Sequence, residues 1–526
     1  MTTQTVAFII AFALYLAFMV VIGLGSAKKN NNVKDYFLGG RKMGPWVTAL
    51  SAEASDSSAW LLMGLPGLCY LGGIKETFWT ALGLIAGTYL NWLIIAKPLR
   101  KCSISFGDSI TIPEFFAKRF NDKKHILTIV SVLPIVVFFT IYTASGFVAC
   151  GKLFESVFGI PYMGGLCIGL IVILTYTITG GYRAVCTTDF VQGVLIFVAF
   201  VVSSIVMIAV LGKVSNACDY GFLSSMIKDQ IANAAKSAKE FNIAAIAGEF
   251  GTELQEKFTA NQSFGVMSAI SALSWALGYF GMPHIIVRFM GIRSNKEIGR
   301  ARRVGMSWML ISYIGTFILG SLGTVYLKNR GIILNGNTCE TVFAETMKLM
   351  YPGFIAGIFL CAILAASMST ADSQLLSAAS AVSNDIYKGI INKKASEKKV
   401  LLISRVTVLV IAAVAFILCL LPNNKSIMGL VSYAWAGFGA CFGPIIILAL
   451  FWKRCTKEGA IAGIIGGFIT VVVWHNLKGG IFNMYEILPG FIVCLLLAIV
   501  VSLFTKKDEE IEAQFDKFKA MKDSEN

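Results

Sequence analysis

The chain has 526 residues, 56% of them hydrophobic and only 14% charged, where soluble domains carry roughly 25% charged residues; its mean hydropathy is +0.72. The apolar residues fall in runs of about 20, the length an α-helix needs to cross a bilayer, and not in the alternating segments of about 10 that mark a membrane barrel. The formal charge of +15 lies mostly in the short segments between runs, which fits membrane topology and excludes nucleic acid as a partner.

In chain order the runs predict thirteen spans, at approximately 5–25, 45–71, 76–97, 125–150, 161–181, 188–212, 264–287, 305–327, 351–383, 401–421, 427–452, 458–475 and 484–505. The first run has no basic residue before it and Lys28 and Lys29 after it. That order is the reverse of a signal peptide, so the run reads as a retained span. An odd number of spans puts the termini on opposite sides. With the N-terminus outside, about three-quarters of the Lys and Arg residues fall inside, among them the segment Arg288 to Arg303. The C-terminus is therefore expected in the cytoplasm. Residues 1–505 read as one membrane domain, with a polar, partly helical outer loop at about 213–262 and a charged, frayed cytoplasmic tail at 506–526. Twelve scattered Cys residues include no CxxC pair, and His125, His284 and His475 show no ligand spacing. Cys218 and Cys339 fall in outer loops and read as free thiols, with a bridge as the alternative.

Three spans carry polar groups that lipid does not tolerate without a purpose. The second holds Ser51-Ala-Glu53-Ala-Ser-Asp56-Ser-Ser58-Ala-Trp60, then Gly64, Pro66 and Gly67. Two carboxylates, four serines and a Pro-Gly break predict an interrupted helix whose freed carbonyls and hydroxyls coordinate a cation; the alternative is a buried helix with capped polar residues. The seventh holds Ser274-Trp275-Ala-Leu-Gly278-Tyr279-Phe-Gly281-Met-Pro283-His284. Its Gly and Pro content predicts a second break. Trp275 and Tyr279, four residues apart, share a face that walls an apolar solute or simply packs. The ninth holds Ala365-Ala366-Ser-Met-Ser369-Thr370-Ala-Asp372-Ser373-Gln374. Its hydroxyls are hard donors that suit an alkali cation, though Ser and Thr also join helices. Asp189, near the inner end of the sixth span, reads either as a helix N-terminal carboxylate or as a cation relay.

The second and seventh spans lie five apart. An odd offset reverses orientation, so five helices from each start form an inverted repeat, about 45–212 and 264–452. Broken helices in matching places of two halves point to a transporter. A membrane sensor has no room for a signalling domain after residue 505, a channel lacks its repeated pore segment, and no Walker A, HExxH or GxSxG motif marks an enzyme.

Several stretches together carry a family resemblance: Tyr36-Phe-Leu-Gly-Gly-Arg41, Val47-Thr-Ala-Leu-Ser-Ala, Ala54-Ser-Asp56, Trp60-Leu-Leu-Met-Gly-Leu-Pro-Gly67, Phe138-Phe-Thr-Ile-Tyr142, Leu277-Gly-Tyr-Phe-Gly281, Met368-Ser-Thr370 and Val431-Ser-Tyr-Ala-Trp-Ala-Gly-Phe-Gly439. On these the chain resembles the sodium/solute symporter family, and within it the proline symporters of bacteria. The resemblance implies an all-α polytopic membrane protein with a LeuT-type 5+5 inverted repeat over spans 2–11. It implies a sodium site made by the carbonyls of Ala54, Ser57 and Ala366 and the hydroxyls of Ser369 and Thr370, with Asp56 as the essential carboxylate nearby. Proline would be held by Tyr142, Trp275 and Tyr279, with Ser58 and Trp60 on the broken second span and Pro283 shaping the other break. Asp189 matches a carboxylate on the inner sodium route, and some members bind a second sodium near Asp372 and Ser373.

The expected function is therefore sodium-coupled import of L-proline by alternating access, with Na+ as the co-transported ion, in a monomer in a bacterial cell membrane. The alternative is sodium- or proton-coupled symport of another amino acid or of a betaine- or ectoine-like osmolyte. Ser57 and Ala59 stand where Met and Gly are expected. Glu53 occupies a position usually small, and reads as facing a water-filled cavity or coupling to protons.

Overall fold

The computed structural model describes residues 2–27, 32–214, 265–336, 338–421 and 424–521. The expectations for the loop beyond residue 214 and for Cys218 lie outside these residues. Every regular element among them is helical, apart from one isolated bridge between Met43 and Ile292. Apolar runs that cannot leave backbone groups unpaired in lipid have no other open-ended solution.

The first half contains α1 (Thr3–Ala27), α2 (Val33–Leu38), α3 (Pro45–Ala59), α4 (Leu65–Gly72), α5 (Ile74–Leu90), α6 (Ala96–Ser105), α7 (Ile112–Arg119), α8 (Ile126–Phe158) and α9 (Tyr162–Val214). The second contains α10 (Val266–Leu273), α11 (Pro283–Gly291), α12 (Ile298–Lys328), α13 (Val342–Met350), α14 (Gly353–Ser380), α15 (Glu397–Leu418), α16 (Ile427–Phe451), α17 (Lys457–His475), α18 (Ile487–Phe504) and α19 (Glu509–Ala520). A wide π turn, Trp60–Gly64, links α3 to α4, and a 3₁₀ stretch, Ser274–Phe280, links α10 toward α11.

Ten of these helical stretches are long and apolar enough to cross a membrane, or eleven if the pair Val266–Phe280 and Pro283–Gly291, bent by 43°, counts as one. Thirteen were expected from the apolar runs. The second expected span is present as helix, but its carboxylates and serines make it too polar for that criterion. The fifth is the first part of α9, with an apolar stretch at Tyr162–Thr175. Beyond it α9 is broken at Gly181 (φ 63°, ψ 177°), a left-handed position that costs glycine little.

The polar α3 is the centre of the molecule. It packs against α9, α11, α12 and α14, and its residues from Thr48 to Ser58 are buried. Lipid-facing helices such as α1, α15 and α18 instead leave large apolar side chains exposed, as a bilayer permits.

The tail differs from its expectation. α19 is docked, not frayed. Ile511, Phe515 and Phe518, spaced four and three apart, form one buried stripe. Phe515 lies 4.8 Å from the guanidinium of the fully buried Arg119, and Lys453 Nζ pairs with Asp516 at 2.6 Å.

Candidate functional site

The site begins with a backbone break. Ser58 leaves the helical region inside α3 (φ 28°, ψ −175°), which frees the carbonyls of the preceding turn. Side chains take them up. Ser369 Oγ donates to Ala54 O at 2.8 Å and to Ala366 O at 3.2 Å, while Thr370 Oγ1 donates to Ser55 O at 2.8 Å. Consecutive hydroxyls on α14 thus meet consecutive carbonyls on α3. His284 also approaches Ser55 O, at 3.2 Å through Nε2, and Trp60 Nε1 donates to Asp56 O at 3.3 Å.

Four of the five expected sodium ligands therefore lie along this seam: Ala54, Ala366, Ser369 and Thr370. Ser57 stands apart from it. Its carbonyl accepts the Trp60 N–H, and its hydroxyl donates to Glu53 O at 2.6 Å. Thr370 meets the Ser55 carbonyl in its place. All these donors are neutral hard oxygens, the chemistry an alkali cation takes.

Aromatic side chains gather on the other side of the break. Trp60 and Trp275 rings lie 6.0 Å apart, and Trp60 and Tyr313 6.3 Å apart. Tyr279 Oη donates to Asp56 Oδ2 at 2.6 Å. Tyr142 is buried and meets the His284 ring edge-on at 6.2 Å. Pro283 opens α11 after Met282, whose extended backbone (φ −77°, ψ 104°) makes the bend. Trp60, Tyr142, Trp275 and Tyr279 are thus brought around Asp56 and the Ser58 break.

Asp189 is not a helix cap. It lies within α9, fully buried, and Arg288 Nη2 pairs with its Oδ2 at 3.1 Å. Ser51 Oγ and Ser55 Oγ donate to the same oxygen at 2.7 and 3.1 Å. Arg288 also bonds Ser51 and Ser55, both at 3.1 Å, and Ser373. Ser373 lies 2.9 Å from Ser55 Oγ and donates to Asp372 Oδ1 at 3.3 Å. Asp189, Asp372 and Ser373 thus form one group, with an arginine at its heart. A narrow cavity lined by Pro283, Arg288, Thr111 and Ser380 lies beside it.

Sequence reasoning missed Arg288, which it assigned to an inner loop. The chain carries a signal, since Arg288 is the one basic residue inside the apolar run His284 to Met290, and all of α11 is buried. It also left Trp435 without a role. Glu53 is buried, and Trp92 Nε1 donates to its Oε1 at 3.2 Å from a π turn at Asn91–Ile95.

The comparisons with known proteins agree with this architecture. Residues 36–467 match the model of the sodium:solute symporter family. The osmoregulated proline transporter OpuE of Bacillus subtilis is 43% identical over 96% of this chain and 96% of its own length. The high-affinity proline transporter PutP of the same organism is 42% identical, over 95% and 99%. The sodium/proline symporter of Escherichia coli is 41% identical, over 95% and 93%. Among solved structures, a Na+-coupled sialic acid symporter in a substrate-bound, outward-open state superposes with a TM-score of 0.72 at 19% identity, covering 95% of this chain and 98% of that one. MhsT in complex with L-phenylalanine superposes at 0.52 with 13% identity, over 87% and 97%. The chain is a multi-pass, all-helical membrane protein that belongs to the sodium:solute symporter family.

Proposed function

We propose that this chain imports L-proline in symport with Na+, by alternating access across a bacterial cell membrane. Relatives above 40% identity along nearly the whole chain are named for proline transport. The observation that carries the sodium half is the seam of Ser369 and Thr370 on the carbonyls of Ala54 and Ser55. There a cation takes over oxygens that are already desolvated and oriented. Asp56, Tyr142, Trp60, Trp275 and Tyr279, with Ser58 and Pro283 at the two breaks, form the substrate pocket. Its aromatic faces fit a small apolar ring, and Asp56 with the Tyr279 hydroxyl supplies the polar contact.

The polar α3–α4 segment, the bent α10–α11 pair and the part of α9 before Gly181 complete a set of thirteen spans. Spans 2–11 form the inverted repeat, about 45–212 and 264–452. The N-terminus lies outside, the tail lies in the cytoplasm, and the monomer is the working unit. Inward sodium movement then supplies about 2.3 kcal/mol per charge per 100 mV, before any concentration gradient, to drive proline uphill.

Reconstitution in proteoliposomes tests this. An inward sodium gradient should drive accumulation of labelled proline, and a membrane potential, negative inside, should increase it. Proline uptake indifferent to sodium would overturn the proposal. A solute panel in which betaine or another amino acid competes better than proline would keep the coupling and change the substrate.

A further inference from the structure

The stretch that bears both Trp275 and Tyr279 is wound as a 3₁₀ helix, Ser274–Phe280. That winding has poorer hydrogen-bond geometry than an α-helix and does not by itself hold side chains tightly. α16 packs along this stretch, and Trp435 presses on it most directly. Trp435 is buried, and its Nε1 donates to the Trp275 carbonyl at 2.8 Å. The same indole meets the Tyr279 ring edge-to-face at 4.9 Å and lies 6.3 Å from the Trp275 ring. Between the two wall residues sits Gly278, where a Cβ would fall 1.9 Å from Trp435 Nε1. One turn further along α16, a Cβ at Gly439 would fall 2.8 Å from the Gly278 Cα. The glycines at 278 and 439 thus let a helix and a 3₁₀ stretch approach almost backbone to backbone, with the Trp435 indole wedged beside them.

We infer that Trp435 is the positioning residue of the substrate pocket: wedged against Gly278, it sets where Trp275 and Tyr279 stand and so sets proline affinity. This rests on the reading of Trp275 and Tyr279 as the pocket wall. The indole acts at three points at once, on the Trp275 backbone, on the Tyr279 ring and on the glycine between them. Tyr279 in turn delivers its hydroxyl to Asp56 at 2.6 Å. A shift of the wedge therefore moves the apolar wall and the polar contact together. Its hydrogen bond and ring contacts do not reach the Ser369 and Thr370 seam, whose partners lie on α3 and on α14 itself. The expected signature is a change in proline affinity without an equal change in sodium requirement.

The test uses the full-length protein in proteoliposomes, with proline and sodium half-saturation measured separately. Trp435→Phe keeps an aromatic ring and removes the indole donor. It should raise the proline half-saturation constant about three- to tenfold, the net weight of one buried hydrogen bond. Its maximal rate and its sodium half-saturation at saturating proline should stay near wild type. Gly278→Ala should be more damaging, and Gly278→Ala with Trp435→Leu should recover part of the lost proline affinity. Unchanged proline affinity in W435F would overturn the inference, as would a double variant no better than G278A alone. Should G278A give no folded protein, folding of the double variant supports the wedge and its failure counts against it. Tyr279→Phe separates the two readings. If Y279F also leaves proline affinity intact, the pocket assignment fails; if Y279F weakens binding and W435F does not, only the role of Trp435 fails.

Discussion

Two polar clusters flank α3 and share a residue, yet they are built on opposite principles. On one side the Ser369 and Thr370 hydroxyls close onto the Ala54 and Ser55 carbonyls. On the other, the Arg288 guanidinium is locked to the Asp189 carboxylate through Ser51, Ser55 and Ser373. Ser55 serves both, its carbonyl in the seam and its hydroxyl in the knot. The seam is neutral. Its hydroxyls can turn and its carbonyls can exchange a proton donor for a cation without leaving a charge bare. The knot is an ion pair at membrane depth, where separating the partners exposes an unpaired charge to a medium that does not solvate it. A site that must load and unload an ion in every cycle suits the first kind of construction. The second kind suits a joint that holds α3, α9, α11 and α14 in register.

The largest effect is expected where the knot is cut on one side. Arg288→Met leaves Asp189 buried and unpaired and should destabilise the protein by about 3–5 kcal/mol, whereas removing both partners with well-packed apolar residues should recover most of that loss. Thermal unfolding of the detergent-purified protein measures it. A double variant Arg288→Met with Asp189→Leu that melts no higher than the single variant would break the comparison, since the knot would then not be a matched pair. The seam should respond differently. Ser369→Ala with Thr370→Ala should lower the melting temperature little, because no charge is stranded. It should raise the sodium requirement for uptake about tenfold or more, equivalent to about 1.4 kcal/mol or more of lost cation binding. Equal sodium half-saturation in wild type and double variant would remove the seam from the cation site.

The seam was legible in the sequence, and the knot was only half so. Hydroxyls clustered at Ser369 and Thr370 inside an apolar run, opposite a serine-rich segment ending in Pro66-Gly67, are anomalies of composition. Polar groups at membrane depth stand out against lipid-compatible neighbours, and the Ser58 break follows from them. The choice of Ser55 over Ser57 as the partner of Thr370 was not legible, because it depends on the rotation of α14 against α3. Asp189 was noticed for the same reason as the hydroxyls. Arg288 was not, because charge counting assigns basic residues near a predicted span end to a loop, and only a contact across 99 residues reveals its partner. Trp435 was hidden in a different way. A buried tryptophan in an apolar helix is ordinary, and its importance comes from facing Gly278 on another element. The tail was misread although its stripe of Ile511, Phe515 and Phe518 is periodic. Its many charges suggested a solvated helix, and the receiving surface around Arg119 is assembled only in three dimensions. The second and fifth spans were placed correctly as helices, but the carboxylates and serines of the second make it too polar to count as an apolar membrane crossing, and the fifth runs in α9 up to the break at Gly181.

The same contrast can be carried out of the membrane, where solvent weakens it. Asp108, in the segment between α6 and α7, is paired with Lys34 and with Arg41, whose Nε lies 2.9 Å from its Oδ1. Partial burial alone would raise the Asp108 carboxyl, but the two cations outweigh it and hold the group below its ordinary range. A carboxyl depressed in the folded state contributes stability above its unfolded value of about 4 and loses it as the pH falls through the lower folded value. The side chain is 42% exposed, so water and salt screen the pair and its worth should stay within about 1 kcal/mol. Asp108→Asn should therefore lower the melting temperature slightly near neutral pH, and that difference from wild type should shrink as the pH drops through the folded value. High salt should shrink it too, since exposed charges are screened within about 8–10 Å at ordinary ionic strength. A difference that persists unchanged in acid and in salt would assign the loss to the geometry of the Arg41 anchor on the Met290 and Ser109 carbonyls. In that case Arg41 would behave like Arg288, as a buried joint, in spite of its place at the membrane's edge.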